Sequence, residues 1–456
     1  MRLARRAVTL DAGSRATAAR LPGMTVLLAI FAFLGGCQHK EPDAVSLTFW
    51  ALGHEGELVQ QLTREFERSH PNVRVAVQQI PWNAAHEKLV TGFVGETTPD
   101  VAQLGNTWVP EFQALGALEP LDRWVAGSQR VRAADFFPGV WATNVVGDTL
   151  YGLPWYVDTR VMFYRRDLAH RAGIESPPKT WAEWRVAMRR LQALPIHGEH
   201  YAIYLPLSEW AQPVIFGLQA GSSLLAENGT RGAFSEPAFR SAFEFYVSLF
   251  SEGLAPALGA QQLTNVYQEF ARGYMAEYIT GPWNLGEFAN RVPADMQDAW
   301  ATAPLPGPTG ESSGVSIAGG ASLVLFRRSP HKREAWQLVE FLSRPEQQAR
   351  FYRMSGDLPP TFAAWKDSSL ASSERARAFY VQLQRVRPLP PVPEWEQIAT
   401  KVFEHAERVI RGAATVDQGL AALDRDVDQI LEKRRWMLAR QAQRARTVAG
   451  GTSGAR

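Results

Sequence analysis

Residues 150–168, LYGLPWYVDTRVMFYRRDL, form an apolar, aromatic run with a single carboxylate near its centre. Leu153, Trp155, Val157 and Thr159 alternate with Pro154, Tyr156, Asp158 and Arg160, a period near two, and Pro154 would interrupt a helix. The stretch therefore reads as a strand or extended crossover, and 161–164 continue as a second strand. Strand-forming residues on both sides of 155–158 suggest a chain that leaves one sheet and enters another, with aromatic and carboxylate groups at the crossing. A two-lobed molecule holds its ligand at such a place. Trp155 and Tyr156 point in opposite directions, so only one of them faces a cleft.

With 456 residues the chain exceeds what one core usually accommodates, which favours two lobes. Its 15 Trp are more than core packing alone requires, so some are candidate ligand surfaces. Net charge is +2, and removing residues 1–36, which hold five Arg and one Asp, turns it to −2. Nucleic acid is therefore not expected as a partner. The single cysteine, Cys37, excludes an internal disulfide. Residues 24–34, MTVLLAIFAFL, are 11 uncharged apolar residues after an Arg-bearing segment, too short to span a bilayer and right for a signal-peptide core. The run ends in Leu34-Gly35-Gly36-Cys37, which resembles the lipobox of bacterial lipoproteins. That resemblance implies cleavage before Cys37 and diacylation of its thiol, holding the mature protein at a membrane. The alternative is an ordinary secretory signal with an incidental cysteine.

Along the chain, Val45, Leu47 and Phe49 alternate into a strand, and Leu58, Leu62 and Phe66 recur at helical spacing. Val73, Val75 and Val77 alternate again, 86–94 read as helix, and 101–104 as a third strand. Strand, helix, strand, helix implies a parallel α/β sheet, which collects ligands at the carboxyl ends of its strands. Trp50, Trp82 and Asn106 to Trp108 fall there. Thr180-Trp-Ala-Glu183 and Ser343-Arg-Pro-Glu346 both fit a capping box at a helix start. Residues 300–314 read as a Pro/Gly linker, 321–326 as a strand, 332–342 as a helix, and 439–456 as a basic tail without structure. No HExxH, GxSxG or Gly-rich phosphate loop occurs, and the nine His lack metal-ligand spacing, so neither cofactor nor metal is expected.

The segments PDVAQLGNTWVPEFQALGALEPLD (99–122), YGLPWYVDTRVMFYRRDL (151–168), PPKTWAEW (177–184), ITGPWN (279–284) and GGASLVLFRRSPHKREAWQLVEFL (319–342) resemble the extracellular solute-binding proteins of ABC-type sugar importers, the group typified by the maltose-binding protein. The matches run in family order over roughly residues 45–435. The resemblance implies an α/β, two-lobed periplasmic-binding-protein-like fold of type II, closing on a sugar about three hinge crossings near 155–159, 316–320 and 356–361. Residues 1–36 are then signal peptide and 37–44 a tether. Lobe one comprises 45–155 with 320–357, and lobe two 159–315 with 361–438. Its further implications are a monomer, with a sugar and ABC transporter permease subunits as partners.

A pyranose has an apolar C–H face and a rim of hydroxyls, so its site needs aromatic platforms with edge-on carboxylates, amides or Arg donors. Glu55 and Asn106 occupy positions where relatives place sugar-contacting polar groups; a carboxylate opening a helix, as Glu55 does, is also favoured by the dipole alone. Trp82 and Trp108 are candidate platforms or helix-start core residues. Tyr156 and Asp158 lie in the crossover, where Asp158 is either a sugar acceptor or an ion-pair partner of Arg160. Trp283 is displayed by the Gly281-Pro282 turn and is the strongest platform candidate. Asn284, Trp210 and Gly320 are further ligand-binding candidates, the glycine permitting close approach. Trp365 and Trp395 read as structural. His54 and Glu55 do not reproduce the charged pair of the maltose-binding protein's first loop, so maltose itself is not implied. Two rival readings are a secreted glycoside hydrolase, which needs the same platforms and a carboxylate pair, and a sugar sensor for a signalling partner.

Overall fold

The computed structural model describes residues 44–451. The expected signal peptide, the lipidation position Cys37 and nearly all of the tether lie outside the described residues.

Nine strands make up the two main sheets: β1 (Val45–Leu52), β2 (Val73–Ile80), β3 (Val101–Gly105), β4 (Leu153–Asp158), β5 (Val161–Arg165), β6 (Tyr201–Tyr204), β7 (Met275–Thr280), β8 (Trp300–Ala303) and β9 (Gly319–Leu325). The first sheet has the order β2-β1-β3-β9-β4 and the second β8-β5-β7-β6. In the first, β1 pairs in parallel with β2, from Val45 opposite Val73 to Leu52 opposite Ile80, and with β3, whereas β9 runs antiparallel to β3 and β4. Burial explains the two strand patterns. The edge strand β2 buries its ends and alternates between, while β3 lies mid-sheet and is covered on both faces, so four of its five residues are buried.

Within the described residues the chain crosses between the sheets three times. Thr159 and Arg160 link β4 to β5 directly, and residues 304–318 return from β8 to β9, with Ser316–Ile317 pairing in parallel with Val386–Arg387. The third crossing follows the helix Pro345–Ser355, where Val157 N–H donates to the Leu358 carbonyl (2.8 Å). Val157, Val161, Ala318 and Leu358, from all three crossings, share one apolar cluster with Phe137, Phe163 and Trp300. The architecture is α/β with two lobes.

Three expectations need correction. Residues 300–303 are not linker: Trp300, Ala301 and Ala303 are buried, and β8 pairs antiparallel with β5, a strand too short for its alternation to be visible. The tail is not without structure from 439, because a helix, Glu432–Gly451, runs through it, consistent with its content of Ala, Arg and Gln. Residues 452–456 lie outside the described residues. Thr180 and Glu183 form their capping box, but Ser343 does not cap. It closes the preceding helix, its hydroxyl donating to the Val339 carbonyl (2.7 Å), and Pro345 makes Arg344 the cap of the next. Among the described residues, no helix is long and apolar enough to cross a membrane.

Candidate functional site

The carboxyl ends of β1, β2, β3, β4, β6 and β7, with the amino end of the reversed β9, converge on one cavity of about 460 Å³. A parallel strand ends in a turn that leads into a helix start, so whatever residue follows it is held at the rim. Glu55 opens the helix after β1, Trp82 the helix after β2, and Asn106 to Trp108 a 3-10 turn after β3. Tyr156 and Asp158 come from β4 and Gly320 from β9. From the other side Trp210 precedes the helix Ala211–Gln219, and Trp283 begins the helix after β7. Nine of the ten expected ligand-binding residues thus line the same cavity: Glu55, Trp82, Asn106, Trp108, Tyr156, Asp158, Trp210, Trp283 and Gly320.

Asn284 is the exception. Consecutive helix residues turn by about 100°, so where Trp283 faces the cavity Asn284 faces the interior. It is buried, its Nδ2 donates to Thr280 Oγ1 (2.7 Å), and its Oδ1 accepts from Tyr267 Oη (2.9 Å). Its work is to pin the helix start. Trp155 is likewise interior, stacked on Phe351 at 4.5 Å, leaving Tyr156 as the cleft-facing member of that pair.

Aromatic surfaces stand on both sides of the cavity. Trp82 and Trp108 meet edge to face at 5.8 Å, and His86 supports Trp108 from behind at 5.2 Å. His86 is fixed by Glu111 (2.6 Å), whose hydrogen bond raises the imidazole pKa against the opposing effect of burial. Opposite, Trp283 is 46% exposed, with the Arg160 guanidinium 4.5 Å above its ring. Gly281 makes this possible: a Cβ there would sit 1.9 Å from the indole. Trp210 packs edge-on against the buried Trp395 at 5.7 Å.

The polar rim is organised by a relay through the first sheet. Leu52 N–H donates to Gln103 Oε1 (2.8 Å), Gln103 Nε2 to Tyr156 Oη (3.1 Å), and Tyr156 Oη to Glu55 Oε1 (2.9 Å). Burial, with the Asp357 and Glu55 carboxylates, pushes the Tyr156 phenol well up, so it stays a donor. Asp158 pairs with Arg160, as one of its two readings held, while also lining the cavity. Burial raises its pKa despite the guanidinium. Asn106 Nδ2 donates to the Ala318 carbonyl (3.2 Å), tying the third strand to the second crossing.

Reasoning from the sequence missed Asp357 and Glu396, both of which line the cavity. Asp357 falls inside the expected third crossing, and a carboxylate in a crossing, as with Asp158, was the available signal. Burial first, and then the neighbouring Glu55 charge, push Asp357 up to about 8, so it carries a proton at neutral pH and can donate as well as accept. Glu396 sits one residue into the helix Trp395–Ile410 with nothing in its surroundings to mark it.

The model of the bacterial extracellular solute-binding protein family matches residues 50–349, about two thirds of the chain. This chain belongs to that family. Its relatives include the sugar-binding protein MalE from Xanthomonas citri, whose solved structure is 48% identical and superimposes with a TM-score of 0.84, covering 87% of this chain and 99% of that one. An ABC transporter solute-binding protein from Thermotoga lettingae, solved with α-D-tagatose bound, is 27% identical with a TM-score of 0.69, over 85% and 100% of the two chains. The galactooligosaccharide-binding protein of Bacillus subtilis is 24% identical, over 86% of this solute-binding protein and 92% of its relative.

Proposed function

We propose that this solute-binding protein captures a mono- or oligosaccharide between its lobes and presents it to the permease of an ABC-type importer, held at the cell envelope through a diacylated Cys37. The observation that carries this reading is the cleft itself: indoles from both lobes, Trp82 and Trp108 facing Trp210 and Trp283, with Glu55, Asp158, Asp357 and Arg160 around one cavity. Flat apolar faces edged by charged and neutral hydrogen-bonding groups match a pyranose. The relatives named for sugar binding support the same reading.

Isothermal titration against a panel of sugars tests it. Binding in the micromolar range or tighter is expected, and no saccharide binding below millimolar, a free energy of only about −4 kcal/mol, overturns it. The reading includes no catalytic step; hydrolysis of an aryl glycoside that disappears when one cleft carboxylate is replaced would contradict it. Cys37→Ser should release the protein from the membrane fraction, and unchanged fractionation would refute the anchor.

A further inference from the structure

A second concavity, also about 460 Å³, is lined by the four arginines Arg123, Arg130, Arg333 and Arg344 and by one carboxylate, Glu340. It lies away from the cleft. His70, on its wall, ends the helix leading into β2, with its carbonyl accepting from Val73 N–H (2.9 Å), so the pocket sits at the amino ends of the parallel strands. Its positive charge is only partly compensated. Arg123 pairs with Glu119, and Glu340 is already engaged by Ser128 Oγ (2.5 Å). Arg130, Arg333 and Arg344 have no carboxylate partner among the described residues. Trp124 and Trp336 stack at 6.1 Å and 30° to form one wall. Two donors on lining residues, Trp124 Nε1 and Arg344 Nε, are buried without an acceptor.

Leaving buried N–H groups unpaired is costly, and clustering guanidinium groups with one carboxylate is electrostatically unfavourable. The electrostatic cost falls when an oxyanion enters, since the planar Arg fork matches phosphate oxygens and the concave wall focuses the positive field. We propose that this pocket is a binding site for a phosphate group, separate from the cleft and independent of its sugar. Free phosphate and a phospholipid headgroup present the same group, and the two arms of the test separate them.

In the first arm the full chain is titrated with inorganic phosphate at constant ionic strength, with chloride as control, and thermal unfolding is followed. A saturable rise in melting temperature with phosphate and none with chloride is expected. Arg130→Glu with Arg333→Glu, two exposed side chains without ion-pair partners, should weaken the response at least tenfold while leaving sugar affinity unchanged; Arg344→Gln should weaken it without reversing charge. In the second arm the same proteins are sedimented with phosphatidylglycerol or phosphatidylcholine vesicles. Co-sedimentation with the anionic vesicles that falls in the double variant assigns the site to a lipid headgroup. A phosphate response without a variant-sensitive vesicle response assigns it to soluble phosphate. Equal responses to phosphate and chloride together with variant-independent vesicle binding, or a phosphate response that survives both variants, overturn the proposal.

Discussion

Asp357 and Glu277 each carry a proton that the unfolded chain would have lost. Glu277, buried in β7 with Trp184 Nε1 as its donor (2.7 Å), is pushed by burial from 4.5 to about 8, and Asp357 rises from 3.8 to about 8. Between roughly pH 4 and pH 8 the native state therefore binds more protons than the unfolded one. These groups make stability fall as pH rises through that window, and the fall stops above the folded pKa. The slope from one such group is at most about 1.4 kcal/mol per pH unit. Glu277→Gln should flatten the dependence of the unfolding midpoint on pH across 4 to 8, and Asp357→Asn should flatten it further; a slope unchanged in both variants would contradict the assignment. Trp283 differs, being exposed, with the Arg160 guanidinium over its ring. Trp283→Ala is expected to weaken sugar binding by ~1–3 kcal/mol, the scale of burying a large apolar side chain, with little change in the melting point of the unliganded protein. A core Trp would instead cost ~3–5 kcal/mol of folding stability, so a large loss of apo stability would remove Trp283 from the list of platforms.

At the scale of elements, β1, β2 and β3 were legible because each buries one or both faces against helices whose own apolar spacing is regular. The helix Lys332–Leu342 was legible for the same reason. β8 was not: four residues, WATA, carry no period, and only pairing with β5 across the crossing makes them a strand. The tail misled in the opposite sense, since a polar composition argued against a packed core while its residues favour helix locally. Gly320, at the start of β9, shows what a single residue imposes on an element. Its φ is +125°, and a Cβ would lie 2.2 Å from the Tyr156 carbonyl, beside an irregularity in the β9–β4 pairing. Gly320→Ala should cost about 1–3 kcal/mol for the backbone conformation alone, and more because β4 must move. Since β4 carries Tyr156 and Asp158, sugar affinity should fall together with the melting temperature. A variant with both quantities unchanged would show that β9 and β4 do not need this close approach.

For the whole molecule, the aromatic half of the site could be read from the sequence because strand ends announce themselves, whereas residues that act across the cleft could not, because only the folded chain makes them neighbours. Thr107 and Glu396 are 289 positions apart, yet Thr107 Oγ1 donates to Glu396 Oε1 (2.5 Å). Thr107 follows β3 in the first lobe, and Glu396 lies on the helix Trp395–Ile410, whose apolar face belongs to the core of the second. The bond runs between the two sheets' halves rather than within either, so it is expected to favour a closed arrangement over an open one. A hydrogen bond to a carboxylate is worth about 1.5–3 kcal/mol when shielded and less when exposed, so about 1 kcal/mol is a reasonable scale at this rim. That is roughly a fivefold shift in the ratio of closed to open forms. For a ligand that binds the closed form the same factor enters the apparent affinity. Glu396→Ala and Thr107→Val should therefore each weaken sugar binding several-fold, leave the melting temperature of the unliganded protein unchanged, and combine with no further loss, because either change breaks the same bond. Small-angle scattering should still show compaction at saturating sugar in all three variants, reached at higher concentration. The double-mutant cycle separates this role from direct contact: were Glu396 a sugar ligand alone, Thr107→Val would leave affinity untouched and the two effects would add. That additive outcome would sink the idea of a bond across the cleft that favours closure.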